Sequence, residues 1–304
     1  MDCAVAIAPS GSALVESAVR AGGGTVVGLA DEPDALVWLA PTDADGLRAA
    51  LDRAPSVRWV QLPFAGVEAF TGVLDPSRTW TCAKGVYGEP VAEHALALAL
   101  AGLRALPARA RATSWGEQGA RTLYDAPVVV LGAGGITTCL LTLLAPFRAR
   151  VTVVRRDADE PVPGAERTVG LDRLDAVLPA AQVVVLALAL TPETEAVIGP
   201  AQLAAMDESA WLVNVARGRH VDTGALVEAL RAGSIGGAAL DVTDPEPLPE
   251  GHPLWGLSNC LITPHTANPW QTAEPLLSRR ITENVARFRA GEALTGLVDL
   301  AAGY

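Results

Sequence analysis

From Pro127 onward, apolar runs of strand length alternate with segments whose apolar residues recur at helical spacing. The runs are Val128–Leu131, Arg150–Val154, Val183–Leu188, Trp211–Val215, Gly237–Val242 and Cys260–Thr263. Between them lie helical stretches such as Ile136–Leu144 and Thr223–Ala232, the latter ended by Gly233. A strand buried on both faces needs a continuous apolar run rather than an alternating one. Strands of that kind separated by helices predict right-handed crossovers and a parallel sheet covered on both sides.

A smaller set of strand candidates, Ala4–Ala8, Ala35–Leu39 and Arg58–Gln61, occupies the first ninety residues, separated by segments rich in Ala, Leu and Arg. They predict a separate small α/β domain. An Ala/Leu helix from about Pro90 to Arg104 carries the chain from one domain to the other, and the helical stretch Ala273–Phe288 returns it. The expected division is residues 1–92 with 271–304 as one discontinuous domain and 93–270 as the other.

Composition narrows the class. With 304 residues, 50% apolar and only 19% charged, the chain can bury two ordinary cores and is not a disordered polymer. Its 23 basic and 34 acidic residues give a formal charge of -11, which offers nucleic acid or an anionic membrane surface no electrostatic attraction. The longest apolar stretches, Ala95–Leu103 and Val183–Leu190, are too short to span a bilayer. The start, Met1-Asp2-Cys3-Ala4-Val5, lacks the basic and apolar regions of an export signal, so the expected location is the cytoplasm. Cys3, Cys82, Cys139 and Cys260 are widely spaced and read as reduced thiols. The histidines do not cluster with cysteine or carboxylate at ligand spacing, and no metal is expected.

The candidate chemistry begins at Val128–Thr137, a strand running through Gly132-Ala133-Gly134-Gly135 into a helix. In a dinucleotide fold Gly132 permits the tight turn, Gly134 lets backbone approach a pyrophosphate, and Gly135 and Ile136 open the helix whose N-terminus faces the phosphates. Thr137 stands where a third glycine is usual, and an ordinary strand–helix connection would also read this way. The next strand ends in Arg155-Arg156, about twenty residues on, where an acidic residue would hold the ribose 2′-hydroxyl of NAD. An arginine pair suits the 2′-phosphate of NADP, so NADP is the preferred cofactor and NAD a possible one; the other reading is a solvated basic strand end.

Three further segments each lie where an apolar run turns polar: Val213-Asn214-Val215-Ala216-Arg217-Gly218, Asp241–Pro247 and Thr263-Pro264-His265. Arg217 can grip a carboxylate and its neighbouring carbonyl oxygen in fixed geometry. His265 can give that carbonyl oxygen a proton as hydride reaches carbon, and Glu246 can orient the imidazole and raise its pKa. Singly, each has a plainer explanation as a surface arginine, a loop glutamate or a turn histidine. Their joint order points to reduction of a 2-oxo acid.

These pieces, with Phe64–Val67 and Tyr87-Gly88-Glu89-Pro90-Val91-Ala92-Glu93-His94, resemble the D-isomer-specific 2-hydroxyacid dehydrogenases, and among them most closely the glyoxylate/hydroxypyruvate reductases. The resemblance implies a Rossmann-type doubly wound parallel sheet plus a smaller, flavodoxin-like α/β substrate domain closing over a cleft, and a homodimer. It assigns Asp241 to the nicotinamide end, and Val215, Ala216, the segment from Leu188 to Pro192, and Ala267 to the cofactor groove. It also implies that Ala65, Gly66 and Val67 offer backbone N–H groups to the substrate carboxylate, although a simple strand-end turn reads the same. Thr266-Ala267-Asn268-Pro269 departs from the glycine common in relatives, and Trp270 is either a pocket wall or a core residue. His94 reads as packing or capping at the domain junction. The rival readings are an NAD-linked D-2-hydroxyacid or phosphoglycerate dehydrogenase, and a non-catalytic dinucleotide-sensing regulator.

Overall fold

The computed structural model describes residues 3–116 and 119–300; residues 1–2 and 301–304, the extreme ends of the expected first domain, and 117–118 lie outside that description. The chain divides into two compact units, Met1–Tyr87 with Pro269–Tyr304, and Gly88–Asn268.

The first unit holds β1 (Ala4–Ala8), β2 (Thr25–Val27), β3 (Ala35–Trp38), β4 (Trp59–Gln61) and β5 (Thr79–Thr81) in a sheet of order β2-β1-β3-β4-β5. Every pairing is parallel. Helix Ala13–Ala21 follows β1, its first turn capped by Ser12, whose hydroxyl accepts from Val15 N–H at 3.2 Å. The long helix Trp270–Ala290 packs on Ala13–Ala21 so closely that a Cβ on Gly22 would lie 2.7 Å from the Thr282 carbonyl oxygen. Leu36, Trp38, Leu47, Val60 and Phe70 form the core. Two buried pairings lie beside it: Asn284 donates to Gln61 Oε1 at 3.1 Å, and Trp59 Nε1 donates to Thr81 Oγ1 at 2.8 Å.

The second unit holds β6 (Pro127–Leu131), β7 (Arg150–Val154), β8 (Arg167–Val169), β9 (Val183–Leu186), β10 (Trp211–Asn214), β11 (Gly237–Leu240) and β12 (Cys260–Ile262), ordered β12-β11-β10-β9-β6-β7-β8. All pairings are again parallel. β9 and β10 are buried at every position, as the apolar run Val183–Leu186 and the run Trp211–Val213 ending in buried Asn214 require. Helix Thr223–Ala232 starts at Asp222, which accepts from Ala225 N–H at 2.9 Å, and stops at Gly233 in the left-handed conformation, φ 66°.

Both sheets are Rossmann-like in their parallel, helix-connected construction, and the expected α/β class holds. The strands β2, β5 and β8 were not expected from the sequence. Each has three residues and lies at a sheet edge, where little apolar surface is needed. Cys3, Cys82 and Cys260 are free and buried, and burial pushes the Cys260 thiol up to about 12. Among the described residues no helix is long and apolar enough to cross a membrane.

Candidate active site

In a parallel sheet every strand delivers its C-terminal end to the same edge, so the segments following β6, β7, β9, β10, β11 and β12 share one rim of the second unit. Strand order reverses between β6 and β9, the position where open α/β sheets bind ligands.

The glycine turn follows β6. Gly132 has φ 105°, and a Cβ there would run into the Ala187 carbonyl, so the turn accepts no larger residue. A Cβ on Gly134 would meet no described atom within 4 Å, and among the described residues no side chain caps the helix Gly135–Leu144 that begins beside it. The open backbone and the first-turn N–H groups, left uncapped by any described side chain, fit a phosphate group. Ile136 is half-buried on the first turn. Thr137 is fully buried and donates its hydroxyl to the Gly132 carbonyl at 2.8 Å. Helix and strand are therefore joined by a hydrogen bond where a glycine would let them touch.

Beyond β7, Arg155 points its guanidinium at Glu160, with Nη1 3.3 Å from the backbone oxygen and Nη2 3.4 Å from Oε2. Arg156 follows on the exposed surface. After β9, Leu188 is half-buried and Pro192 exposed. His220, completely buried, holds that segment by facing the Leu188 oxygen at 3.3 Å through Nε2 and the Thr194 oxygen at 2.9 Å through Nδ1.

After β10 the chain passes through Val215 and Ala216, both buried, to Arg217. Asn214 shapes this turn from within: its Oδ1 accepts from Ala216 N–H at 3.0 Å and its Nδ2 donates to the Arg217 oxygen at 2.8 Å. Arg217 Nη1 donates to the Ala216 oxygen at 2.7 Å. Gly218 lies against the backbone of Thr243 and Asp244, leaving no room for a Cβ. The turn bearing Arg217 thus abuts the loop bearing Glu246. That loop is tied down by Thr223 Oγ1 donating to the Asp244 oxygen at 2.8 Å and Thr243 Oγ1 donating to the Pro245 oxygen at 2.9 Å.

His265, following β12, places Nδ1 2.6 Å from Glu246 Oε1. The contact to Glu246 holds the imidazole above its ordinary pKa of 6.5, against burial, which lowers it. The same hydrogen bond brings the Glu246 carboxyl below its ordinary value, and Arg217 lowers it further. Both side chains remain partly open to solvent, at 53% and 40%. Nδ1 is engaged by the carboxylate, so Nε2 is the ring nitrogen left for a reacting oxygen.

Asp241, just past β11, is 2% exposed and turns inward. Its Oδ1 accepts from Thr263 Oγ1 at 2.6 Å and Thr266 N–H at 2.8 Å, and its Oδ2 accepts from Ala267 N–H at 3.0 Å. Its backbone oxygen accepts from His265 N–H at 2.8 Å. Burial alone would push the Asp241 carboxyl up; the donors from His94, Thr263, Thr266 and Ala267 together bring it down to about 2. His94, read from sequence as packing or capping, has Nε2 3.0 Å from Thr263 Oγ1 and 3.3 Å from Asp241 Oδ1.

In the first unit, Ala65, Gly66 and Val67 form the turn after β4, with Val67 fully buried as an anchor and Ala65 exposed. The Trp270 ring lies 6.4 Å from that of Phe64 and is 36% exposed, so it is not a core tryptophan.

Sequence reading assigned no role to Asn214, His220 or Thr263, and none in the site to His94. Asn214 and Thr263 stand inside quoted motifs, which was a usable signal. His94 and His220 are linked to the rim only by contacts distant in sequence.

A parallel sheet with an open glycine turn, a carboxylate-paired histidine and an arginine on one rim defines a nicotinamide-dinucleotide oxidoreductase. Residues 94–267 match the NAD-binding domain of the D-isomer specific 2-hydroxyacid dehydrogenases. The chain is 32% identical over 229 residues to a glyoxylate reductase of Aeropyrum pernix, covering 71% of this chain and 68% of the relative. It is 41% identical over 261 residues to an uncharacterized protein in the proB 3′ region of Corynebacterium melassecola, covering 83% and 86%. Among solved structures, a D-isomer specific 2-hydroxyacid dehydrogenase from Xanthobacter autotrophicus Py2, in complex with NADPH and MES, superposes with a TM-score of 0.87 at 30% identity over 100% of both chains. The chain belongs to the D-isomer specific 2-hydroxyacid dehydrogenase family.

Proposed function

We propose that this protein reduces small 2-oxo acids to D-2-hydroxy acids, in the manner of glyoxylate/hydroxypyruvate reductases, with NADPH preferred and NADH accepted. The observation that carries the reading is the 2.6 Å contact between His265 Nδ1 and Glu246 Oε1, with Arg217 close enough to lower the Glu246 carboxyl. A sensor that only bound dinucleotide would need no such acid.

The dinucleotide would be held by Gly132, Gly134, Gly135 and Ile136 at its pyrophosphate and by Arg155 and Arg156 at the 2′-phosphate. Leu188, Pro192, Val215, Ala216, Asp241 and Ala267 would line its groove toward the nicotinamide end. When bound, it supplies the hydride. Arg217 binds the substrate carboxylate and polarises the adjacent carbonyl. As the carbonyl carbon gains a C–H bond, the C=O π pair moves to oxygen, and the oxygen takes the proton from His265 Nε2. Imidazole is left neutral beside Glu246 and is reprotonated from solvent. In this reading residues 1–92 with 271–304 form the substrate domain, 93–270 the dinucleotide domain, and the active species is a cytoplasmic homodimer.

The test follows NADPH and NADH oxidation against glyoxylate, hydroxypyruvate, pyruvate, phenylpyruvate and branched 2-oxo acids, with His265→Ala as control. Turnover that is lost in the control and faster with NADPH is expected. Tight cofactor binding without turnover of any 2-oxo acid would favour the sensing reading instead.

A further inference from the structure

We propose that His94 is a positioning residue for the acid His265, acting through Thr263 and Asp241 on the loop that carries the imidazole. The inference rests on the reading of His265 as the proton donor.

The hydrogen-bond bookkeeping of the cluster fixes its directions. Asp241, with its carboxyl at about 2, is an acceptor only. Thr263 has a single hydroxyl hydrogen and gives it to Asp241 Oδ1 at 2.6 Å. The ring nitrogen of His94, 3.0 Å from Thr263 Oγ1 and 3.3 Å from Asp241 Oδ1, therefore faces only lone pairs and carries the proton on Nε2. Oδ1 thus collects Thr263 O–H, Thr266 N–H and His94 Nε2–H, while Oδ2 takes Ala267 N–H.

The consequence lies in the loop. Asp241 grips residues on both sides of His265, at Thr263, Thr266 and Ala267, and its backbone oxygen holds the His265 N–H at 2.8 Å. His265 itself adopts a left-handed conformation, φ 51°, which a non-glycine residue keeps only when its surroundings enforce it. His94 supplies the donor from outside the loop, from the helix Gly88–Leu103. Without it a buried carboxylate loses a partner and Thr263 loses the donor that sets its rotamer. A shift of the loop by a fraction of an ångström changes both the Glu246 contact and the aim of Nε2.

The test compares His94→Leu, His94→Gln and Thr263→Val in the full-length protein. It reads kcat and KM for NADPH-dependent 2-oxo acid reduction, and the His265 imidazole titration by NMR. The groups facing that imidazole are Glu246, Asp241 and Arg217. H94L is expected to lower kcat about 10- to 100-fold, with KM little changed, and to bring the His265 pKa back toward 6.5. H94Q, which keeps a donor of similar reach, restores most of the rate. T263V reproduces the H94L effects and the double variant adds little to either. If H94L does not fold, T263V carries the expected loss of kcat and the shift of the His265 pKa, with H94Q as the near-wild-type comparison. Wild-type kcat and an unchanged His265 titration in folded H94L or T263V, with only the melting temperature lowered, would overturn the proposal. Should the wild-type protein reduce no 2-oxo acid, the reading of the reaction fails, while the NMR titration still decides whether His94 positions His265.

Discussion

Thr137 donates its hydroxyl to the carbonyl oxygen of Gly132 at 2.8 Å, closing the glycine turn from the helix side. Family-type turns put glycine at this place so that helix and strand can approach. Here a fully buried side chain fills the space and its only polar hydrogen is satisfied. The departure that weakens the motif on paper is thus a packed, bonded substitute.

Thr137→Val keeps the volume and removes the hydroxyl, leaving the Gly132 carbonyl without that donor. Urea denaturation should show a loss of about 1–2 kcal/mol, with cofactor affinity close to wild type. Thr137→Gly adds a void and a flexible residue in the first turn and should cost more, about 2–3 kcal/mol. A T137G protein as stable as wild type would remove this account of the turn.

The paired His265 and Glu246 set the pH response. Glu246 holds the imidazole above 6.5, so the protonated acid persists to higher pH than in an isolated histidine. Reduction should be fastest below the raised pKa and fall as pH rises through it; oxidation of the 2-hydroxy acid should show the opposite limb. The stability linkage has the same sign: the histidine's contribution is full below the unfolded value and is lost as pH rises through the folded one. The depressed Glu246 carboxyl contributes above its unfolded value and loses that contribution as pH falls through the folded one. In Glu246→Gln the alkaline limb of kcat/KM for reduction should move to lower pH. An unmoved limb would separate the pH response from this pair.

Arg155 is held by Glu160 in the free protein, at 3.3 and 3.4 Å. A 2′-phosphate must compete with that carboxylate for the same guanidinium. Glu160→Gln should therefore tighten NADPH binding modestly, by no more than about fivefold for an exposed pair, and leave NADH binding unchanged. Arg155→Ala should lower the NADPH-over-NADH preference by about 10- to 100-fold, the value of one or two charge-assisted hydrogen bonds. Dissociation constants by fluorescence titration check both.

The sequence made the strand ends legible because the buried strands of the second unit are predominantly apolar runs, and three of them end at a motif: Leu131 before Gly132, Asn214 before Arg217, Leu240 before Asp241. Edge strands were not legible. Thr25–Val27 and Arg167–Val169 bury little, Thr79–Thr81 buries only Trp80 and Thr81, and all three are short and carry polar residues, so nothing in their pattern separates them from loop. Expected strands also ran long: Val183–Leu188 ends at Leu186, because Ala187 already belongs to the turn pressed on Gly132. In the candidate site, residues within a motif could be read, but the supports could not. His94 reaches Thr263 across 169 positions and His220 reaches Leu188 across 32, distances over which local pattern carries no information.

Gly218 is the point where the Arg217 turn meets the Glu246 loop, and it is restricted by space rather than by backbone conformation. A Cβ there would overlap the carbonyl of Thr243 and the backbone nitrogen of Asp244, neither of which can rotate away as a side chain would. Gly218→Ala must push apart two segments that set Arg217 and Glu246 in place. Overpacking of this kind costs about 1–3 kcal/mol, read as a lower denaturation midpoint. The loss of kcat/KM should exceed what that destabilisation explains, reaching about 100-fold at temperatures where the variant is fully folded, because a small displacement of positioned groups is amplified in rate. Circular dichroism and steady-state kinetics on the same sample separate the two effects. A folded G218A enzyme with wild-type kcat/KM would show that the contact between these backbones does not govern the site.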